Sequence, residues 1–436
     1  MAISEVNRHS PLWFLTGNIR VLVFGRALWS FSTSIVYPFL SLYILALGGT
    51  PTEIGLINSL GLIAGMILYP VGGYVGDRMG RVRLVGFATY AYAISNLLFV
   101  FAINWQALAV AQFLHQLLLF YMPAMNALES DSLPPGVRGR GFATIMAIPN
   151  SIRIIAPYVG GWIIAVYGGG DAGMIRAIRI CWGFSFLTGL LVATTRLKYL
   201  SETLIKEEAG GRPSLRGLPE IVKEAYASIF ESMKWMNRPL WGIVIVEAVS
   251  SLFVAMSAPL WIVYATQVMG ITAYDWGIML LISGLVSVTL AYPLGSLVDK
   301  FGPRRMILLA LGLAPPITFL YIHSKDFLAV TTILCLIGVV NGILMPAFST
   351  IIADMIPRKR RARLYSLLGE RGVTYSFGNF WGGGFLLFPA AALGAFVGGH
   401  VYEMNPTYPW IILSIATFAS LVLAVRYIKE PEDVQT

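Results

Sequence analysis

The chain has 436 residues, 57% of them hydrophobic and only 12% charged, whereas soluble globular domains carry roughly 25% charged residues. Apolar runs of about 20 residues recur along it, each long enough to cross a hydrocarbon core of roughly 30 Å. The net charge of +9 is topological and excludes a nucleic-acid reading, because 25 of the 31 lysines and arginines fall on one side of the assigned spans, three (Arg176, Arg179, Lys325) on the other and three (Arg26, Arg153, Arg371) within spans.

In chain order, residues 1–18 are a short polar tail. Span 1 runs from about Ile19 to Leu47, span 2 from Glu53 to Gly76, span 3 from Leu84 to Ile103, span 4 from Ala107 to Ser130, span 5 from Gly141 to Tyr167 and span 6 from Met174 to Thr195. These form a first bundle over 19–195. Residues 196–238 are a hydrophilic linker in which Leu218, Ile221, Val222, Ala225, Ile229 and Met233 recur at helical spacing, as in an amphipathic helix on the membrane surface. Spans 7 to 12 occupy roughly 239–266, 273–298, 304–322, 327–353, 363–389 and 409–427, a second bundle over 239–427, and 428–436 is a second tail. The charge asymmetry puts both tails in the cytoplasm. The short alternating segments of a membrane barrel are absent, and the first apolar run is too long for a cleavable signal peptide. Cys181 and Cys335 both lie in apolar runs, which argues against a disulfide framework or a metal site.

The stretch after span 2 returns after span 8. Gly73, Asp77, Arg78 and Gly80 are answered by Gly295, Asp299, Lys300 and Gly302, and further cations follow in both copies, Arg81 and Arg83 in the first and Arg304 and Arg305 in the second. Glycines here permit close helix approach and a tight turn with positive φ. The duplication continues at an offset of 223. Met122-Pro123-Ala124 matches Met345-Pro346-Ala347, Asp131 matches Asp354, and Gly160-Gly161 matches Gly383-Gly384. Near the start of each half the offset drifts, so that Pro38 aligns with Pro259. Six spans per half, both starting in the cytoplasm, give parallel repeats related by an axis along the membrane normal.

The Gly73–Arg81 pattern resembles the loop signature of the major facilitator superfamily, and Ala156-Pro157-Tyr158-Val159-Gly160-Gly161 resembles that family's antiporter signature on helix 5, with Ala156 replacing its first glycine. The resemblance implies an all-α polytopic membrane protein with 12 transmembrane helices in two six-helix bundles, working by alternating access in the plasma membrane. Asp77, Arg81 and either Glu129 or Asp131 are placed to form a cytoplasmic charge cluster, and the resemblance implies that this cluster locks the outward-facing state. In the second half Pro303 stands where the first has a cation, so that latch is expected to be weaker.

With no P-loop and no room for an extramembrane catalytic domain, the expected activity is movement of a small solute down or against a gradient, not enzymatic turnover, without cofactor or metal and by a monomer. Charges inside spans cost at least ~2.5–3.5 kcal/mol on insertion scales and therefore mark candidate sites. Arg153 suits an anionic substrate or a buried ion pair. Glu370, two turns into the expected span 11 beside Arg371, suits a proton carrier. Glu247 is a second carrier candidate, and its repeat mate is the cation Arg26, with which a bridge across the bundles is the rival reading. His115, in a stripe with Gln112, Gln116 and Asn126, can titrate near neutrality or simply hydrogen-bond. Pro157, Gly160 and Gly161 bend or pack span 5. Two functions are expected from these residues: proton-coupled efflux of small organic molecules by antiport, or proton-coupled import of an anionic metabolite, favoured by Arg26, Arg153 and Arg371. A receptor or lipid-moving protein of the same fold is the remaining class.

Overall fold

The computed structural model describes residues 15–133, 138–203, 218–356, 364, 367–369, 372–378 and 384–428. The regular elements among them are all helices, and eleven are long and apolar enough to cross a membrane.

Span 1 is α1 (Gly17–Val36), a 3-10 turn at Tyr37–Phe39 and α2 (Leu40–Ala46). The turn falls at Pro38, which has no N–H to donate to the helix. Then come α3 (Pro51–Met79), α4 (Arg81–Val100), α5 (Trp105–Leu117) with α6 (Met122–Ser132), α7 (Arg138–Arg153) with α8 (Ala156–Tyr167), and α9 (Gly170–Tyr199). The α7–α8 pair, broken at Ile154 and Ile155, makes the further crossing. The linker holds α10 (Leu218–Trp235). The second half repeats the plan with α11 (Arg238–Ser257), a 3-10 turn at Ala258–Leu260, α12 (Trp261–Gln267), α13 (Ala273–Phe301), α14 (Pro303–Tyr321), α15 (Phe327–Met355), α16 (Phe388–Met404) and α17 (Tyr408–Tyr427). The break at Pro259 repeats the one at Pro38.

The duplicated turns have the expected backbone. Gly80 and Gly302 take φ of 90° and 88°, a conformation that only glycine adopts without strain. We call the end of the helices that carries these turns the basic end and the opposite one the far end.

Span 11 differs from the expectation. The helix is Phe388–Met404, not 363–389. The described residues between Gly369 and Gly378 are not helical, and Gly369, Gly372 and Gly378 have φ of 82°, 62° and 117°. Backbone without a helix survives at membrane depth only where protein satisfies its polar groups. Here Asn341 of α15 does so twice: its Nδ2 donates to the Tyr375 carbonyl, and its Oδ1 accepts from the Tyr375 N–H, both at 2.8 Å. The Tyr375 hydroxyl donates to Thr417 at 3.1 Å, and the Gly378 N–H donates to the Ala258 carbonyl at 2.8 Å.

This irregular stretch shifts the repeat register. A Cβ on Gly160 would meet the Ile35 carbonyl oxygen at 2.2 Å, and one on Gly398 would meet that of Met256 at the same distance. Gly161 faces the Ala273 carbonyl as Gly399 faces that of Pro51, and Gly277 faces that of Pro157 as Gly55 faces that of Ala395. The structural mates of Gly160-Gly161 are therefore Gly398-Gly399. Gly383-Gly384, the pair that the 223 offset selected, begins outside the described residues. With this register the second half reads Gly394-Ala395-Phe396-Val397-Gly398-Gly399, which keeps the glycine that Ala156 replaces and loses the proline.

Candidate functional site

The contacts of Gly161 and Gly277, and of Gly55 and Gly399, zip the two halves together toward the far end, α8 against α13 and α16 against α3. There Glu403 of α16 accepts from the Thr50 hydroxyl and, at 3.0 Å, from the Thr52 N–H. Toward the basic end α13 parts from α8, whereas α3 stays against α16 as far as Gly65, where a Cβ would lie 3.5 Å from the Phe388 ring. The α13 face that touches α8 at Gly277 and α7–α8 at Gly284 continues through Val288, Tyr292 and Gly295. Val288 and Tyr292 are exposed there, and a Cβ on Gly295 would meet nothing within 4 Å among the described residues. Asn150 and Arg153 on α7 are exposed as well.

Between the halves, at the level of the proline breaks, Asn58, Leu62, Gln112, Gln116, Ala255, Pro259 and Ala395 enclose about 10 Å³. Ser41 donates across the interface to the Pro259 carbonyl at 2.6 Å. The sequence reading found Gln112 and Gln116 from their stripe. It missed Asn58, a single polar residue on an otherwise apolar face. His115, in the same stripe, turns inward instead. It is fully buried, its Nδ1 is 2.7 Å from the Ser95 hydroxyl, and its ring lies 4.0 Å from that of Tyr92.

Arg26 does not meet Glu247. Its guanidinium forks onto Glu129 of α6, with Nε to Oε1 at 3.1 Å and Nη2 to Oε2 at 2.9 Å. Such a two-pronged pair satisfies both charges within the first half. At the offset of 223 the repeat mate of Glu129 is Ile352, which is fully buried. Glu247 thus occupies the place of Arg26 in a half that has no charge at the place of Glu129. It is 0% exposed, and neither carboxylate oxygen has a hydrogen-bond partner among the described residues. The helix α11 that carries it is packed against α16 and α17, through Gly394 on the Leu252 carbonyl and Ser250 on Ser420 at 3.0 Å.

A buried cation absent from the sequence candidates is Arg196. It sits at the basic end of α9 and is 1% exposed; it donates to Thr89 at 2.7 Å and lies 5.9 Å from the Tyr121 ring centre. Its position at the end of an apolar run had placed it in the linker. Arg153 ends α7 at the break rather than lying within a continuous helix. Glu370 and Arg371 lie outside the described residues, as do the side chains of Asp77 and Arg78 and the surroundings of Gly73. At the first-half turn Arg81 pairs with Asp131, and Glu129 takes the Arg26 fork. Glu202 accepts there from the Val82 N–H at 3.0 Å, an acceptor at the helix start where N–H groups lack intrahelical partners. In the second half Arg304 donates to the Val425 carbonyl, and among the described residues Asp299 and Asp354 form no ion pair.

The Major Facilitator Superfamily model matches residues 22–383. The chain is 23% identical over 436 residues to Multidrug resistance protein 2 of Bacillus subtilis, covering 98% of both chains. It is 24% identical over 359 residues to the multi-drug resistance efflux pump PmrA of Streptococcus pneumoniae, covering 80% of this chain and 84% of that one. In fold it is similar to a bacterial homolog of the human lysosomal transporter Spinster in an inward-facing and occupied conformation, with TM-score 0.68 at 12% identity and 94% of both chains covered. It is similar also to the nucleoside transporter NupG, with TM-score 0.66 at 13% identity, covering 95% of this chain and 98% of that one. Two helical halves joined face to face, repeat-related glycine seams and the duplicated basic turns have the same meaning as these likenesses: the chain belongs to the major facilitator superfamily and is a multi-pass membrane transporter of small molecules.

Proposed function

We propose that the protein exports small organic molecules in exchange for protons, with both termini in the cytoplasm of a cell whose plasma membrane it spans. The observation that carries the proton half of this reading is Glu247. An ionised carboxylate buried without a cation costs several kcal/mol, so a charge on this group needs water or a partner to reach it. A carboxyl of this kind can take a proton on one side and give it up on the other. The rival carrier, Glu370, has no described surroundings with which to support it.

The positive-inside asymmetry supports placing the basic end in the cytoplasm, so the shape described above is inward-facing, sealed at the far end and open to the cytoplasm. The efflux half of the reading is supported by the names of the relatives and by the helix 5 signature. Import of an anion loses one of its three supports, because the Arg26 fork is taken by Glu129. The two bundles, joined by the linker that carries α10, work together as a monomer.

The test is the direction of proton movement. Vesicles reconstituted with the full chain and loaded with a pH-reporting dye receive ethidium on one side. Antiport moves protons opposite to ethidium. Protons travelling with it contradict the reading.

A further inference from the structure

Membrane proteins keep lysine and arginine away from the non-cytoplasmic side, and on the orientation proposed above this chain places only three of its 31 cations there. Two of the three, Arg176 and Arg179, are one turn apart on α9 and therefore share a face. They border a groove of about 600 Å³ at the far end, between the start of α9, the end of α4 and the end of the first span. Its apolar walls are Leu47, Val100, Ile175 and Ile180, and no acidic side chain lines it. Arg176 is exposed. Arg179 is half-buried and anchored by a 2.7 Å bond from Nη2 to the Ala102 carbonyl, and its Nε has no hydrogen-bond partner among the described residues.

Two guanidinium groups above an apolar trough match one chemistry: a phosphate joined to hydrocarbon. Guanidinium forks bind phosphate oxygens in pairs, and basic pockets between membrane helices on the cytoplasmic side take anionic lipid headgroups by the chemistry that this groove offers at the far end. A cationic drug is repelled here, and a soluble anion leaves the apolar walls unused. The helices α4 and α9 pack on each other at the flank of the first half, away from the seam with the second, so the groove opens to lipid and not to the path between the halves. We infer that this groove is a binding site for an anionic phospholipid of the far-end leaflet, with its phosphate held by Arg176 and Arg179 and its chains lying on the apolar wall.

The test is a thermal-shift titration of the full chain in neutral detergent. Phosphatidylglycerol should raise the melting temperature, while phosphatidylcholine and inorganic phosphate at the same concentration should not. Arg176 is exposed, and Arg176→Gln should raise the lipid concentration for half the shift roughly fivefold, the effect of one cation near a charged lipid. Arg176→Gln/Arg179→Gln should abolish the shift. Lys325→Gln, which removes the remaining far-end cation, should leave it intact. The inference is overturned if phosphatidylcholine or phosphate alone stabilises as well, if Arg176→Gln responds like the wild type, or if Lys325→Gln weakens the response as much as Arg176→Gln.

Discussion

Gly161 and Gly399 hold equivalent places on the two sides of the seam between the halves. A Cβ on Gly161 would lie 2.8 Å from the Ala273 carbonyl oxygen, and one on Gly399 would lie 2.1 Å from that of Pro51. Both neighbours are backbone, which cannot turn aside as a flexible side chain can. The far end closes only because these positions lack a side chain.

Gly161→Val and Gly399→Val should therefore prevent far-end closure while each helix still inserts. Cysteines introduced at Thr52 and Glu403, in a background lacking Cys181 and Cys335, should cross-link in the parent and lose that cross-link in either glycine variant. Transport should fall with it. Retained cross-linking and flux in both variants would show that the seam is not needed for closure.

The pair between Arg26 and Glu129 predicts a strong, coupled loss of stability. Removing one partner of a buried ion pair costs about 3–5 kcal/mol. Arg26→Met or Glu129→Met alone should lower the melting temperature sharply, and the double variant should recover most of the loss. A double variant that melts at the sum of the two single losses would mean that the groups do not depend on each other.

Asn341 predicts a backbone effect. Asn341→Leu leaves the Tyr375 N–H and carbonyl buried without partners, at about 1–3 kcal/mol for each group. Asn341→Asp keeps the acceptor and loses the donor, so its melting temperature should fall between the parent and Asn341→Leu. If Asn341→Leu melts with the parent, the non-helical stretch is held by something other than this clasp.

Much of this was legible in the sequence because it is repetitive. Apolar length gave the spans, and the twin glycine–aspartate–basic turns gave the duplication and, by resemblance, the family; Gly80 and Gly302 adopt the backbone that this reading requires. Span 11 was misplaced for a physical reason. The stretch around Tyr375 is apolar enough to pass for a helix, and its irregular backbone is stabilised by Asn341, 34 residues earlier, which no local pattern reveals. The charge pairing failed similarly. Repeat alignment shows that Arg26 and Glu247 are equivalent, but equivalent residues occupy matching places in separate bundles, and the partner of Arg26 came from α6 of its own half. Arg196 was hidden because a cation at the end of an apolar run reads as an interfacial anchor until tertiary packing buries it.

Proton coupling through Glu247 is the central claim, and a pH-gradient assay on Glu247→Gln measures it most directly. Glutamine keeps the size and polarity of the neutral acid but carries no exchangeable charge. In vesicles with an imposed pH gradient, ethidium movement by the wild type should follow the gradient. Glu247→Gln should lose gradient-driven movement yet still exchange ethidium for ethidium, because the halves can close and reopen around substrate without a proton. Ethidium movement in Glu247→Gln that follows the pH gradient as in the wild type would contradict the assignment.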